Sequence, residues 1–396
     1  MANDVFSIKN DIFIEFYTPT AGNWVWGVST WDGGDVWGGS SSSIAWRDLK
    51  CESVQVQTSQ GFDIDNGIFL NPAQKRATIT MQSPEYDPFA HGTIHAGTPV
   101  RVRARLHPDS DPTAREILYV GTVESFASTY DHYGNNIATF TCVDPMQAWL
   151  NTRVASYTIT ASTSYPLDVI SDMAAYGTWA YITSGGTGDI AYLDAKTYTD
   201  VTVGDIIKDA LKAGLGALAT TTDTTALIYY SESDMTAILN QSPIRSFSSD
   251  HSTSTDHICF SDVQFAADAR ELPNEIIATA VGGTTYTLRN QDSYDLYGAI
   301  SLQVDLQFSS STSVNAWLDR LNLTNQLRRV QTLTFPSIKR EGQVATYWGA
   351  AGLFSYVNVT YALGSININQ DYFITKESQL ITPDEWTTTL ELWRGI

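Results

Sequence analysis

Cysteine is scarce in this chain: Cys51, Cys142 and Cys259 are its three thiols among 396 residues, and they lie far apart. No zinc spacing and no even-numbered disulfide framework can be written from them. They read as small apolar fillers in a protein assembled in a reducing compartment. Basic residues are also few. With 43 acidic against 23 basic side chains, the formal net charge is −20, which opposes stable binding to a nucleic-acid backbone and favours solubility or repulsion of polyanions. The start, Met1-Ala-Asn-Asp-Val-Phe-Ser-Ile-Lys-Asn, lacks a basic segment followed by an apolar stretch, and no run reaches the length of a membrane span. The expectation is a soluble protein that is not exported by the usual signal.

Catalytic patterns are missing as well. There is no Gly-x-Ser-x-Gly elbow, no phosphate-cradling loop ending in Gly-Lys-Ser/Thr, and no cysteine in a protease context. His91 and His95 are four apart, but Gly92 and Gly97 argue against a metal-binding helix and no Glu follows His91. Asp63-Ile-Asp65-Asn66-Gly67 and Asp109-Ser-Asp111-Pro112 alternate oxygen ligands, yet neither has the downstream acid of an EF-hand, so Asp-rich turns are the better reading. Scattered carboxylates without a fold context do not specify a glycosidase. No enzyme, metal or cofactor is predicted.

What is present is strand. Aromatics make up 12% of the chain and charged residues only 17%, which suits a neutral, Ser/Thr-rich surface buried against other chains. Between Val54 and Asp144 five strand-like runs are separated by Gly, Pro and Asp turns: Glu52–Thr58, Lys75–Gln82, Val100–Leu106, Glu116–Phe126 and Ile137–Val143. Ala77, Ile79 and Met81 point inward and Arg76, Thr78 and Thr80 outward, the mark of a half-buried antiparallel strand. The set suits a small barrel or sandwich. A strand at Phe13–Tyr17 precedes it, and a short helix at Pro145–Leu150 follows.

The middle changes period. Leu167, Ile170, Met173 and Ala174 repeat at helical spacing and stop at Gly177. Thr202-Val-Gly-Asp205 resembles a capping box ahead of Ile206, Ile207, Ala210 and Leu211, with a stop at Gly214. After a strand at Ala226–Tyr230, the polar run Ser246–Asp256 reads as an exposed loop or linker. The last third returns to strands: a hairpin around Gly282-Gly283, then Ser301–Phe308, Val330–Phe335, Tyr356–Tyr361, Tyr372–Glu377 and Thr387–Trp393. Val314, Trp317, Leu318 and Leu321 form one apolar helix face suited to packing on a second barrel.

The predicted fold class is therefore mainly β with a smaller α/β insert and two β-barrel-like tube domains. The boundaries read as 1–152 for the first tube domain with its Trp-rich loop, 153–257 for the insert, and 258–396 for the second tube domain with one packed helix. No sequence repeat can be aligned, so duplication is inferred from strand patterning alone.

Two features are candidates for a subunit interface. Arg101, Arg103 and Arg105 share one strand face opposite Val100, Val102, Ala104 and Leu106. In so acidic a chain they read either as a strip meeting carboxylates of a neighbouring subunit or as a solvated outer face. The loop from Trp24 through Trp26, Trp31 and Trp37 to Trp46 offers rigid aromatics for an interface or for the barrel's own core. A sugar site is disfavoured, because no convergent Asp, Asn and Arg accompany them.

With these residues in view, the chain resembles the tail-tip hub proteins of long-tailed bacteriophages, minor tail proteins related to the baseplate hub and the late control protein D family. The likeness lies in Gly61-Phe-Asp-Ile-Asp65, Lys75-Arg-Ala-Thr-Ile-Thr-Met81, Tyr86-Asp-Pro-Phe89, Ala96-Gly-Thr-Pro-Val-Arg-Val-Arg103, Leu118-Tyr-Val-Gly-Thr-Val-Glu124 and Phe140-Thr-Cys-Val-Asp144. It continues in Leu272-Pro-Asn-Glu-Ile-Ile-Ala-Thr279, Gly282-Gly283, Tyr294-Asp-Leu-Tyr-Gly298 and Ile381-Thr-Pro-Asp-Glu-Trp-Thr-Thr-Thr-Leu390. The resemblance implies a homotrimer whose two similar barrels per chain make a pseudo-sixfold ring in the virion, assembled in the host cytoplasm. Its implied partners are the distal tail ring protein, tail tube, tape measure protein and tip fibre or spike, with DNA passing through unbound. Some relatives carry a fused wall hydrolase; the chain stops at Ile396, soon after the last of these strands, so the hub without that enzyme is expected. The alternatives are a carbohydrate-binding β-protein and a tail-associated cell-wall hydrolase.

Overall fold

Strand formation follows the alternation already visible along Arg76–Gln82, where Ala77, Ile79 and Met81 are buried and Arg76 and Thr78 face solvent. The computed structural model describes residues 12–19, 44–49, 53–66, 68–82, 94–104, 116–130, 132, 136–161, 164–177, 179–183, 191–221, 226–250, 257–266, 273–321, 323, 329–337, 352–363, 366–383 and 385–394. Its first part contains β1 (Ile12–Pro19), β2 (Ile44–Asp48), β3 (Ser53–Asp65), β4 (Phe69–Pro72), β5 (Arg76–Gln82), β6 (Pro99–Ala104), β7 (Glu116–Tyr130) and β8 (Asn136–Val143). Seven of these form an antiparallel sheet in the order β2-β1-β6-β7-β8-β5-β3. The sheet has to curl. Six spacings would put its edges about 29 Å apart if it were flat, whereas the five steps from Asp48 to Ser53 span at most about 18 Å. Phe16, Val56, Ile79, Val102, Phe140 and Cys142 fill the interior.

The next part contains α1 (Met146–Leu150), β9 (Arg153–Ile159), α2 (Pro166–Ala174), β10 (Ala180–Thr183), β11 (Lys196–Thr202), α3 (Val203–Gly214), β12 (Ala217–Thr220), β13 (Ala226–Tyr230) and α4 (Glu232–Leu239). The capping box predicted at Thr202 is formed: the Asp205 amide donates to Thr202 Oγ1 at 3.1 Å, and the Thr202 amide donates to Asp205 Oδ2 at 3.0 Å. The helix runs through Gly214 and ends on Leu215, whose φ is 47°. Tyr229 and Pro166 pack so closely on Gly214 that a Cβ there would lie 2.7 Å from the Tyr229 hydroxyl. This glycine serves packing, and the turn falls one residue later.

The remainder contains β14 (Arg245–Ser248), β15 (Ile258–Cys259), β16 (Asp262–Ala266), β17 (Glu275–Thr279), β18 (Thr285–Arg289), α5 (Gln291–Tyr297), β19 (Ser301–Asp305), α6 (Ser311–Asp319), β20 (Arg329–Pro336), β21 (Tyr356–Leu363), β22 (Ile366–Ile381) and β23 (Trp386–Trp393). β17 and β18 form the expected hairpin, with Gly282 and Gly283 at φ of 98° and 86° in its turn.

The expected boundaries need correction at three places. The core of residues 275–319 is not that of the second sheet: among the described residues Ile276, Val304, Phe308, Val314, Trp317 and Leu318 share one core with Val203, Ile207 and Leu211 of the insert. The Trp317 indole donates to the Lys212 carbonyl at 3.0 Å, and Arg320 pairs with Glu232 at 2.6 Å. Conversely, Arg245–Ser248, read as insert and linker, is β14 of the second sheet. Finally, Ile381 and Trp386 from the end of the chain complete the core of the first barrel. An apolar face is legible in a sequence, but the surface that covers it is not.

The second sheet runs β15-β14-β21-β22-β23-β20-β16. Its edge strands are joined within three steps, Cys259 to Asp262, at most about 11 Å, so it too is curled. Its interior holds Phe247, Leu333, Val359, Tyr372 and Leu390. This strand order is the first order repeated, with β14, β15, β16, β20, β21, β22 and β23 standing for β1, β2, β3, β5, β6, β7 and β8. Only the β1 position is reversed in direction: β14 is parallel to β21, whereas β1 is antiparallel to β6.

Detail repeats as well as order. The extra residue that shifts register between β7 and β8 is Glu124, and the one between β22 and β23 is Thr375, at the matching position. Thr80 and Thr139 bond through their hydroxyls at 3.1 Å, and their counterparts Thr334 and Thr389 do so at 2.9 Å. Thr78-Ile79-Thr80 therefore corresponds to Thr332-Leu333-Thr334. Structure supplies the alignment that sequence alone withheld.

Candidate assembly site

The two barrel-like units are fused through one strand. Before its bulge β22 pairs with β21; after it, Lys376–Ile381 pairs with Gly61–Val56 of β3 along one edge, while β23 stays paired along the other. Sixteen residues of β22 thus serve two sheets. At the crossing Gly61 has φ of 146°, and a Cβ there would sit 2.2 Å from the Thr375 carbonyl oxygen and 2.6 Å from Lys376 Cα. Glycine is required on both counts.

Side chains lock this seam. Ser59 and Ser378 approach at 3.4 Å through their hydroxyls, and Lys376 Nζ lies 3.4 Å from Asp63 and 3.7 Å from Glu391. Beneath it, Phe354 stacks on Tyr230 at 4.4 Å and meets Phe62 edge-on at 5.0 Å, and Phe373 lies 6.1 Å from Trp393. Phe354 itself has φ of 67°, a costly conformation for a bulky residue that is held in place by this packing and by the hydrogen bond its N–H donates to the Ile374 carbonyl at 2.8 Å. The aromatic cluster joins both barrels to the α/β unit, since Tyr230 belongs to β13.

A second buried contact ties the first barrel to the α/β unit. Lys75 reaches the Thr221 carbonyl at 2.7 Å, and Asp144 accepts from the Met146 amide at 3.3 Å and the Thr220 hydroxyl at 3.4 Å. Burial pushes the Asp144 carboxyl up to about 6, against the lowering pull of Lys75 and of these hydrogen bonds.

Of the predicted interface residues, Arg101 and Arg103 lie side by side on β6, and both pair with Glu15 of β1 in the same chain. Arg101 also lies over the Trp46 ring at 4.3 Å, and Trp46 packs on Tyr17 at 5.3 Å. The arginines are thus neither a bare solvated strip nor without a carboxylate of their own: Glu15 is 5% exposed and each arginine 21%. The missing signal was strand pairing, which places Glu15 opposite Arg101. Arg105, Trp24, Trp26, Trp31 and Trp37 lie outside the described residues, as do Cys51, His91 and the Asp109–Pro112 motif. Asp65 and Asn66 form the turn between β3 and β4, with Asn66 at φ of 52°. Among the described residues no three His, Cys, Asp or Glu side chains are grouped to hold a metal, and no helix is long and apolar enough to cross a membrane.

The architecture is mainly β: two curled sheets of one strand order, fused at β3 and β22, with an α/β unit drawn from two stretches of sequence, one between the sheets and one inside the second. Solved structures of this fold superpose on nearly the whole chain. A tail protein from Neisseria meningitidis MC58 matches with TM-score 0.61 at 11% identity, over 96% of each chain. The 43 kDa tail protein of prophage MuSo2 from Shewanella oneidensis matches at 0.57 and 8% identity, over 97% of this chain and 98% of that one. The prophage tail protein gp18 from Listeria monocytogenes EGD-e matches at 0.52 and 10% identity, over 96% and 94%. No protein-family model and no curated protein sequence matches the chain. At such identities the likeness establishes the fold.

Proposed function

We propose that this chain is a structural component of a bacteriophage tail, the tail-tip hub of the late control protein D type, in which three copies make a pseudo-sixfold ring. The observation that carries this reading is the repeated strand order: two units of one topology in each chain let three chains present six similar positions. The likeness in fold to three tail proteins, two of them from prophages, supports it. In this reading the ring joins the tail tube and distal tail ring to the central fibre or spike, contacts the tape measure protein, and lets DNA pass during ejection. Its work is shape rather than chemistry. The net charge of −20 serves passage, with acidic residues along the lumen repelling the DNA backbone. We assign Trp24, Trp26, Trp31, Trp37 and Arg105, with the outer faces of Arg101 and Arg103, to the contact between neighbouring chains.

Native mass measurement and negative-stain imaging of the purified chain, and cryo-EM of tail particles that contain it, test this reading. A threefold ring with six similar densities and an acidic lumen is expected. A monomer absent from tail particles would remove the assignment, and a basic lumen would remove the role given to charge.

A further inference from the structure

One face of the α/β unit combines exposed tyrosine with negative charge that no cation of the chain answers. Tyr165 at the start of α2, Asp168 and Asp172 on it and Tyr176 just beyond it fall at i, i+3, i+7 and i+11, the spacing of a single helix stripe. The stripe is separate from the buried side of Ile170, Met173 and Ala174. Neighbouring segments widen it: Tyr192 stacks on Tyr165 with ring centroids 4.0 Å apart, and the Tyr157 hydroxyl of β9 donates to Asp172 Oδ2 at 2.9 Å. Tyr176 and Tyr192 are 45% and 46% exposed. Burial pushes the Tyr157 phenol up, and Asp172, Asp168 and Tyr176 add to that push, so all three lie near its ring.

Each of the two carboxylates is anchored through one oxygen. Asp168 Oδ2 accepts from the Tyr165 amide at 2.8 Å, as Asp172 Oδ2 accepts from Tyr157. The cations that flank this stretch are taken elsewhere, Arg153 by Asp200 at 3.0 Å and Lys196 by Asp209 at 2.7 Å. Between Arg153 and Lys196 the sequence has no lysine, arginine or histidine, although it has Asp168, Asp172, Asp189 and Asp194. An acidic face alone is ordinary solvated surface. Tyrosines left half in water beside it are not, because large rigid rings concentrate where a partner covers them.

We propose that this face binds an extended, arginine-bearing segment of a partner protein. Asp168 and Asp172 stand one helical turn apart, about 6 Å, and side chains on one side of an extended segment repeat about every 7 Å, so arginines at alternate positions meet both carboxylates. Their guanidinium planes lie against the tyrosine rings, which joins a charge-assisted hydrogen bond to a cation–π contact. Tyr157 and the Tyr165 amide hold the carboxylates in place beforehand, and that lowers the ordering lost on binding. From Tyr165 to Tyr176 the stripe runs about 16 Å at the helical rise, the reach of roughly five extended residues. The same charge turns nucleic acid away. The face is complete within one chain, so its test stands apart from that of the ring.

The test is fluorescence anisotropy of a labelled peptide of alternating arginine and threonine, titrated with the full chain at low salt beside the same peptide carrying glutamine for arginine. Saturable binding of the arginine peptide alone is expected. Asp168→Asn/Asp172→Asn should weaken it at least tenfold, and Tyr176→Ser/Tyr192→Ser should weaken it severalfold. Asparagine keeps an oxygen for each internal hydrogen bond, and circular dichroism checks that every variant is folded. Asp292→Asn/Asp319→Asn removes the same charge from exposed positions on α5 and α6 and should bind as the unaltered chain does. Absence of saturable binding by the unaltered chain overturns the site. So does a loss in the α5 and α6 variant equal to that on α2, or full affinity in the tyrosine variant, since either would reduce the contact to net charge.

Discussion

Gly61 and Thr375 touch where the two barrels fuse: a Cβ on Gly61 would lie 2.2 Å from the Thr375 carbonyl oxygen. The carbonyl is backbone at a bulge, so it cannot rotate away as a side chain would. Gly61→Ala is expected to destabilise the chain by about 3 kcal/mol, the sum of positive-φ strain and overpacking. Gly282→Ala is the control. Gly282 also has positive φ but has open space around it, so it should lose only about 1 kcal/mol. Urea unfolding of the two variants checks the difference, and equal losses would mean that the seam tolerates the methyl group.

The repeat makes a prediction about a swapped pair of side chains. In the first barrel Tyr119 folds over Gly121, so that a Cβ on Gly121 would lie 2.3 Å from the Tyr119 hydroxyl. At the matching positions of the second barrel stand Gln370 and Tyr372, with the Tyr372 hydroxyl donating to Gln370 Oε1 at 2.7 Å. Gly121→Tyr alone should cost about 3 kcal/mol or more by overpacking. Tyr119→Gln/Gly121→Tyr should recover most of that loss, because it rebuilds the arrangement of the second barrel. Thermal melts of the single and double variants decide this, and additive losses would break the correspondence.

Asp144 sets a pH dependence whose sign follows from its raised pKa. Unfolded, the carboxyl titrates near 3.8; folded, near 6. Between those values the folded chain binds more protons, so this group's contribution to stability falls as pH rises through the window and is lowest above pH 6. Asp144→Asn removes the titration, while the loss of a partner for Lys75 is felt at every pH. The difference in Tm, variant minus wild type, should therefore increase by a few degrees from pH 4 to pH 7. A flat or decreasing difference would show that Lys75 holds the carboxylate charged.

Glu15 holds two arginines from a buried position. Glu15→Gln replaces the carboxylate shared by Arg101 and Arg103 with a neutral amide, at an expected loss of about 2 kcal/mol, below the range for a fully buried pair because both arginines reach water. Replacing all three residues by methionine should lose less than Glu15→Gln does, since no charge is then stranded. Denaturant unfolding of both variants reads the order of the two losses.

Local rules determined a good deal here. Alternation along Arg76–Gln82, the Thr202–Asp205 capping box, the Gly282-Gly283 hairpin and the strand at Ala226–Tyr230 each depend on neighbours within a few residues, and each is present. β22 extends beyond the expected Tyr372–Glu377 at both ends, because Ile366-Asn-Ile-Asn-Gln-Asp371 has weak strand preference and is held by pairing with β21, and Ser378–Ile381 is held by pairing with β3. Tertiary structure alone decided that Val314, Trp317 and Leu318 cover the insert, that Glu15 answers Arg101 and Arg103, and that β22 is shared by two sheets. It alone exposed the repeat, since a core keeps volume and lets side chains trade places, as Tyr119 and Gly121 do against Gln370 and Tyr372. Periodicity records which face avoids water; which surface provides the shelter is settled only when distant strands meet.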